Sequence, residues 1–135
     1  MKVVGRFWLL AAAVGLASCG GAEPAGDKPL TLEEKGRAAF PACAVCHSVK
    51  DPTAPGYTQL IGPSLFGVYG APSARLEGYD YSKAMRAANL VWDDATLNAF
   101  IDNPHQVVPK TRMSFAGEHD ADQRAAIIAY LKALK

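Results

Sequence analysis

The chain has 135 residues, half of them apolar, enough for one small domain with a packed core. Its 14 basic and 13 acidic residues nearly cancel, which excludes the concentrated basic surface that nucleic-acid binding needs. No apolar window of roughly 18 residues occurs, against a transmembrane helix, and no repeat of roughly 20 to 50 residues marks a solenoid.

Lys2 and Arg6 introduce an unbroken run of apolar and small residues from Phe7 to Ala17. At ~1.5 Å per residue the run covers roughly 16 Å, about half a bilayer core. This is the pattern of an export signal, and residues 1–18 are set aside from the fold. The run ends in Leu16-Ala17-Ser18-Cys19, which resembles the lipobox of bacterial lipoproteins. That resemblance implies cleavage before Cys19, a diacylglycerol on its sulfur, and a domain held at a membrane on the periplasmic side. It also accounts for an otherwise odd third cysteine. Three acyl chains anchor firmly where one binds only marginally. The alternative is an ordinary secretory signal cut after Ala17 or Ala22, with Cys19 incidental. Residues 19–29, with the Gly- and Pro-rich GGAEPAGDKP, read as a flexible tether. The ten residues after Cys19 reach at most ~35 Å extended and roughly 17 Å as a coil. Without Lys2 and Arg6 the rest of the chain holds 12 basic and 13 acidic residues, a formal charge of −1. Docking by charge must then come from local patches.

The folded domain is expected over 30–135. Thr31-Leu32-Glu33-Glu34 predicts a capping box and a helix through Phe40, with Leu32, Gly36 and Phe40 on one face. Gly36 inside a helix costs ~1 kcal/mol against Ala, so a close helix contact is its expected reason. The motif Cys43-Ala44-Val45-Cys46-His47 follows at once. Residues 48–62 and 70–80 read as loops, and Ser82 to Ala88 as a short helix. Asp93 predicts a cap for a helix over Asp94 to Asp102 that presents Leu97, Phe100 and Ile101. Asn103-Pro104 stops it, and Gln106 to Gly117 reads as loop. A last helix is capped near Asp120 and runs to about Leu134 with Ile127, Ile128, Leu131 and Leu134 as its apolar stripe. Phe40, Phe66, Phe100 and Tyr130 are expected in the core. No alternating strand of useful length occurs, so the class is all-α with long loops. Loops of this length are uncommon unless functional, and a large apolar group at the centre would explain them.

Three chemistries fit Cys43, Cys46 and His47. A redox dithiol needs a βαβ setting, which is absent. A zinc site needs four ligands, and Cys43, Cys46, His105 and His119 fit no finger spacing. C-x-x-C-H reads as attachment of a c-type haem. Two sulfurs three positions apart reach the two vinyl groups on one porphyrin edge, and the next residue, His47, falls under the iron. One motif means one haem c, covalent through Cys43 and Cys46. Export agrees, since c-type attachment occurs outside the bacterial cytoplasm. The opposite iron position decides the chemistry: a Met ligand closes the site and raises the potential, an open position suits ligand binding or activation. Met85 lies in a predicted helix, His105 and His119 in polar contexts, and Met113 in a loop able to wrap over a haem face. Met113 is the expected ligand.

From Leu30 to Lys135 the chain resembles the class I cytochromes c, close to the bacterial c2 and mitochondrial types. The matching segments are Gly36 and Phe40, Gly62-Pro63-Ser64-Leu65, Gly78-Tyr79-Asp80-Tyr81-Ser82, Trp92, Asn103-Pro104, Pro109 to Gly117 and Ala129-Tyr130-Leu131-Lys132. The resemblance implies that the Pro63 carbonyl accepts the His47 Nδ1–H, that Tyr81 and Trp92 bond to haem propionates, and that the Tyr130 aromatic packs on the first helix beside Gly36. Three residues depart from the family pattern. Lys110 replaces a loop glycine that takes positive φ. Phe100 stands where many members have a tyrosine bonded to the Met sulfur. Ala71 replaces an arginine, with Arg75 nearby as its substitute.

The expected function is a membrane-tethered one-electron carrier, not an enzyme, and its domain a monomer. The resemblance implies membrane redox complexes such as cytochrome bc1 and a haem-copper oxidase as partners, met through a partial basic rim of Lys50, Lys110 and Arg112. A short lipid tether raises the effective concentration near them. The alternatives are a haem subunit of a periplasmic dehydrogenase or peroxidase, and an open-site haem sensor. A dihaem peroxidase needs two C-x-x-C-H motifs, and a cytochrome c′ carries its motif near the C-terminus.

Overall fold

The computed structural model describes residues 28–135. The export signal, Cys19 and the tether up to residue 27 lie outside the described residues. Six helices appear among the described residues: α1 (Leu32–Ala39), α2 (Pro41–Ala44), α3 (Lys83–Ala87), α4 (Asp94–Asp102), α5 (Pro104–Val107) and α6 (Ala121–Ala133), with long loops before α3 and α6. Among the described residues the extended backbone pairs only as an isolated antiparallel bridge between Pro72 and Val91. No helix among them is long and apolar enough to cross a membrane.

The caps follow the sequence. Thr31 Oγ1 accepts from the Glu34 N–H at 3.2 Å, and the Glu34 carboxylate accepts from the Thr31 N–H at 2.7 Å. Two otherwise orphaned donors of α1 are thereby satisfied. Ser82 caps α3, Asp93 caps α4 and Asp120 caps α6.

The terminal helices cross at Gly36. A Cβ there would overlap the Ala126 carbonyl oxygen and come within 2.9 Å of the Tyr130 Cβ. The loss of helix propensity is the condition for backbone-to-backbone approach. One turn on, the Phe40 and Tyr130 rings meet edge to face with centroids 5.0 Å apart, a favoured aromatic geometry. Leu97, Phe100 and Ile101 of α4 and Ile127, Ile128 and Leu131 of α6 are buried in one cluster with them. Leu134 packs at its edge.

Four expectations change. Leu32 is half exposed, because it lines an open surface groove with Asn98, Ala129 and Lys132 instead of entering the core. Phe66 is only half-buried. The cysteine motif does not follow α1 directly: Pro41 opens the one-turn helix α2, which carries Cys43. Asn103 ends α4, but its side chain accepts from the Gln106 N–H at 3.1 Å and starts α5 inside the stretch read as loop. Both short helices carry proline in their first turn, where its missing N–H is not needed.

Candidate haem site

The three residues of the motif sit on one continuous turn. The Cys46 N–H donates to the Cys43 carbonyl at 3.0 Å and the His47 N–H to the same oxygen at 2.9 Å. Positions three apart on such a turn share a face, so both sulfurs stand on one side. Cys43 and Cys46 are half-buried and form no disulfide. Burial, and secondarily the neighbouring Cys46, push the Cys43 thiol above its ordinary pKa. The βαβ setting of a redox dithiol is absent among the described residues, whose extended backbone pairs only at the Pro72–Val91 bridge. No three of the His, Cys, Asp and Glu residues described cluster as a metal-ion site, so the zinc set of Cys43, Cys46, His105 and His119 is not assembled.

His47 is held from two sides. Its Nδ1 lies 2.7 Å from the Pro63 carbonyl oxygen, so Nδ1–H donates there and Nε2 carries the free lone pair. The ring also lies against Gly62: a Cβ on that residue would come within 2.6 Å of Cε1 and 2.9 Å of the Cys46 carbonyl. The Gly62 N–H donates to that same carbonyl at 2.8 Å. Burial lowers the His47 pKa, against the Pro63 bond, which raises it. The ring is thus kept neutral, the form that binds a metal ion. Ser64 completes this loop, 2% exposed, with Oγ donating to the Lys50 carbonyl at 2.7 Å. The backbone N–H of Leu65 donates to the Ser48 carbonyl at 2.8 Å.

A second segment, Arg75 to Ser82, lies across this loop. The Tyr79 hydroxyl donates to the Ile61 carbonyl at 2.6 Å. Arg75, the proposed stand-in for the missing arginine, directs its guanidinium at the Phe66 carbonyl. The Tyr79 and Tyr81 rings pack edge to face at 4.6 Å. The Tyr81 hydroxyl accepts from the Leu76 N–H at 3.4 Å and keeps its own proton to donate. Burial raises its pKa, so that proton is retained at neutral pH. Trp92 is buried against Phe100 with ring centroids 4.9 Å apart. Its backbone is fixed to the 70–71 turn: the Gly70 N–H donates to the Trp92 carbonyl and the Trp92 N–H to the Ala71 carbonyl, both at 2.9 Å.

The Met113 loop leaves α5 through Thr111, buried, whose N–H donates to the Val108 carbonyl at 3.0 Å. The loop rejoins α4 where the Glu118 N–H donates to the Ile101 carbonyl at 2.9 Å. Met113 is partly buried and packs against the same apolar cluster as Cys43. Met85 packs against that cluster from α3. His105 is exposed, and His119 is exposed with Nδ1 3.2 Å from Asp102. Lys110 holds φ +69, so the positive-φ turn of the family loop is kept without its glycine.

Sequence reasoning gave Pro63 a role and passed over Gly62 and Ser64 beside it. Gly62 was legible as the first residue of the Gly-Pro pair, whereas nothing local announces that Ser64 is buried. Asp80 was also passed over, although it ion-pairs with Arg112 at 3.0 Å.

The donor set is a neutral imidazole with one free nitrogen, two thiols on one turn, and a thioether packed on the same apolar cluster as Cys43. These groups fit a covalently held haem with sulfur and nitrogen on its iron. The fold and this set define a small α-helical haem protein of the c type. The profile of the cytochrome c family matches residues 33–135. The chain is 43% identical to the cytochrome c of Euglena viridis over 76% of its own length and 96% of that protein's. It is 39% identical to the cytochrome c2 of Rhodomicrobium vannielii, over 72% of this chain and 74% of that one. It is 34% identical to the cytochrome c-554 of Methylosinus trichosporium, over 97% and 92%. The solved structure of cytochrome cH from Methylobacterium extorquens superposes with a TM-score of 0.68 at 35% identity, over 75% of this chain and 97% of that one. The chain belongs to the class I cytochrome c family. It has that family's fold and covalent haem c, and is a monohaem electron carrier.

Proposed function

We propose that this cytochrome is a lipid-tethered carrier on the periplasmic side of a membrane, delivering single electrons between complexes such as cytochrome bc1 and a haem-copper oxidase. In this reading residues 1–18 are an export signal, Cys19 carries the lipid, residues 19–29 are the tether and 30–135 the redox domain. Cys43 and Cys46 hold the haem, and His47 and Met113 are the axial ligands. When bound, the haem supplies a one-electron ferric/ferrous couple. Pro63 fixes the His47 tautomer, and Tyr81 and the Trp92 indole donate to the propionates.

The observation that carries the site assignment is the His47–Pro63 hydrogen bond with Gly62 packed on the ring. It leaves Nε2 free and limits ring rotation, as a permanent iron ligand requires. The docking face is supported by two apolar side chains beside the cysteines. Val45 is 77% exposed and Ile61 80% exposed. Each is the immediate neighbour of one partner in the Gly62 to Cys46 hydrogen bond. Of the expected basic rim, Arg112 is already paired with Asp80, which leaves Lys50 and Lys110.

The test is the absorption spectrum of the oxidised, haem-loaded protein and of Met113→Ala. A weak red charge-transfer band that disappears in the variant identifies Met113 sulfur on ferric iron. A high-spin spectrum without the band favours an open site, and with it a sensor or catalytic role. A low-spin spectrum without the band assigns the position to a nitrogen ligand. Mass spectrometry of the exported chain, with Cys19→Ser beside it, tests the lipid directly.

A further inference from the structure

We infer that Asp80 is a positioning residue for the methionine ligand, latching the Met113 loop to the segment that also braces the histidine side. The inference rests on the reading that Met113 ligates the iron.

The Asp80 carboxylate accepts from Arg112 Nη1 at 3.0 Å and faces Arg86 Nη1 at 3.4 Å. Arg112 immediately precedes Met113, so its side chain restrains the neighbouring backbone. An isolated exposed ion pair contributes little, because two long side chains must be ordered to form it. This pair is exposed too, with the Asp80 side chain 82% accessible, but the backbone that carries Asp80 is already ordered. Tyr79 is tied to the Ile61 carbonyl, Arg75 to the Phe66 carbonyl, and Leu76 to the Tyr81 hydroxyl. Asp80 therefore projects from a strap fixed on the His47–Pro63 side, and the pair with Arg112 joins the two ligand loops across 32 positions of sequence.

The loop it holds is under backbone strain. Lys110 has φ +69 two residues before Arg112, a conformation that disfavours any residue with a Cβ. The Tyr79 hydroxyl, bound to the Ile61 carbonyl at 2.6 Å, also lies within electrostatic reach of the latch: burial raises its pKa, and Arg112 opposes that rise. The Asp80 carboxyl itself is held below the ordinary carboxylate range, first by its hydrogen bond to Arg112.

The test measures how fast imidazole displaces the methionine from the ferric, haem-loaded chain, followed by loss of the red charge-transfer band. Asp80→Asn and Arg112→Gln are each expected to accelerate displacement about two- to five-fold, the range open to one ion pair on an ordered base. The double variant is expected to match the single ones, and Asp80→Glu to recover most of the loss. Arg86→Gln is expected to change the rate less, in keeping with its longer contact. High salt is expected to narrow the gap between the unaltered protein and Asp80→Asn. Equal displacement rates in the unaltered protein and Asp80→Asn, with the band present in both, overturn the latch alone. Absence of the band from the unaltered protein overturns the Met113 assignment and the latch with it. Because the single and double variants keep the haem motif, a change in thermal unfolding without a change in displacement rate also counts against the latch.

Discussion

The imidazole of His47 lies close enough to Gly62 that no side chain fits between them: an added Cβ would stand 2.6 Å from Cε1 and 2.7 Å from Nδ1. Neither side can yield freely, because Nδ1 is bound to the Pro63 carbonyl and the Gly62 N–H to the Cys46 carbonyl. Gly62→Ala is therefore expected to displace the ring or break one of these bonds. Overpacking of this kind costs ~1–3 kcal/mol. Thermal unfolding of the haem-loaded variant measures the loss. A redox titration should show a changed potential, because the ligand's hydrogen bond to Pro63 tunes the metal. Unaltered stability and potential would mean that the loop relaxes without moving His47.

Gly36 makes the same argument at the helix crossing, with a harder neighbour. What an added Cβ meets is the Ala126 carbonyl, part of the α6 backbone. A side chain can rotate away, whereas a helix must move as a body. Gly36→Ala gains ~1 kcal/mol of helix propensity and still should destabilise by ~2 kcal/mol net, because the α1–α6 contact and the Phe40–Tyr130 pair open together. A denaturation midpoint at or above that of the unaltered protein would show that propensity outweighs the contact.

At Lys110 the expected sign reverses. A residue with a Cβ at φ +69 gives up roughly 1–2 kcal/mol. Glycine relieves that strain but costs ~0.4–1 kcal/mol through the greater freedom of its unfolded chain. Lys110→Gly should therefore stabilise the oxidised protein, by up to ~1.6 kcal/mol. It should also slow displacement of Met113 by imidazole, since the strain sits in the same loop. Lys110→Ala keeps the Cβ and should show neither effect, which separates backbone strain from lost charge.

Much of this architecture is written in local chemistry. The Thr31 capping box, the Asp93 cap and the α6 stripe depend on side chains within four positions of one another, and such spacing survives in a sequence. Gly36 was readable as a close contact because a glycine within a helical pattern needs a reason. The short helices α2 and α5 were not readable, since each is one turn opened by a proline, and proline after a helix reads first as a stop. Ser64 and Asp80 were missed for another reason. Their partners, Lys50 and Arg112, lie 14 and 32 positions away and are brought near only by the folded loops. At the site, Cys43, Cys46 and His47 declare their chemistry by spacing, whereas the importance of Gly62 rests on a ring that packs on it from 15 positions earlier.

The balance of apolar and charged groups beside the cysteines sets the last expectation. Val45 and Ile61 stand well exposed next to the motif, and Arg112 is engaged by Asp80. Docking of a redox partner there should draw more on apolar burial than on charge. Truncating one branched aliphatic side chain that becomes buried on docking removes two or three carbons at ~0.8 kcal/mol each when burial is complete, and about half that when partial. Ile61→Ala should therefore slow second-order electron exchange with a membrane oxidase roughly five- to tenfold, while leaving the potential and the red band unchanged. Lys50→Gln, at the rim, should change the rate less than about twofold at physiological ionic strength, where exposed charges are screened within ~8 Å. Stopped-flow oxidation at several salt concentrations separates the two contributions. A rate that falls steeply with salt and is insensitive to Ile61→Ala would move the docking face away from Val45 and Ile61, toward the lysines.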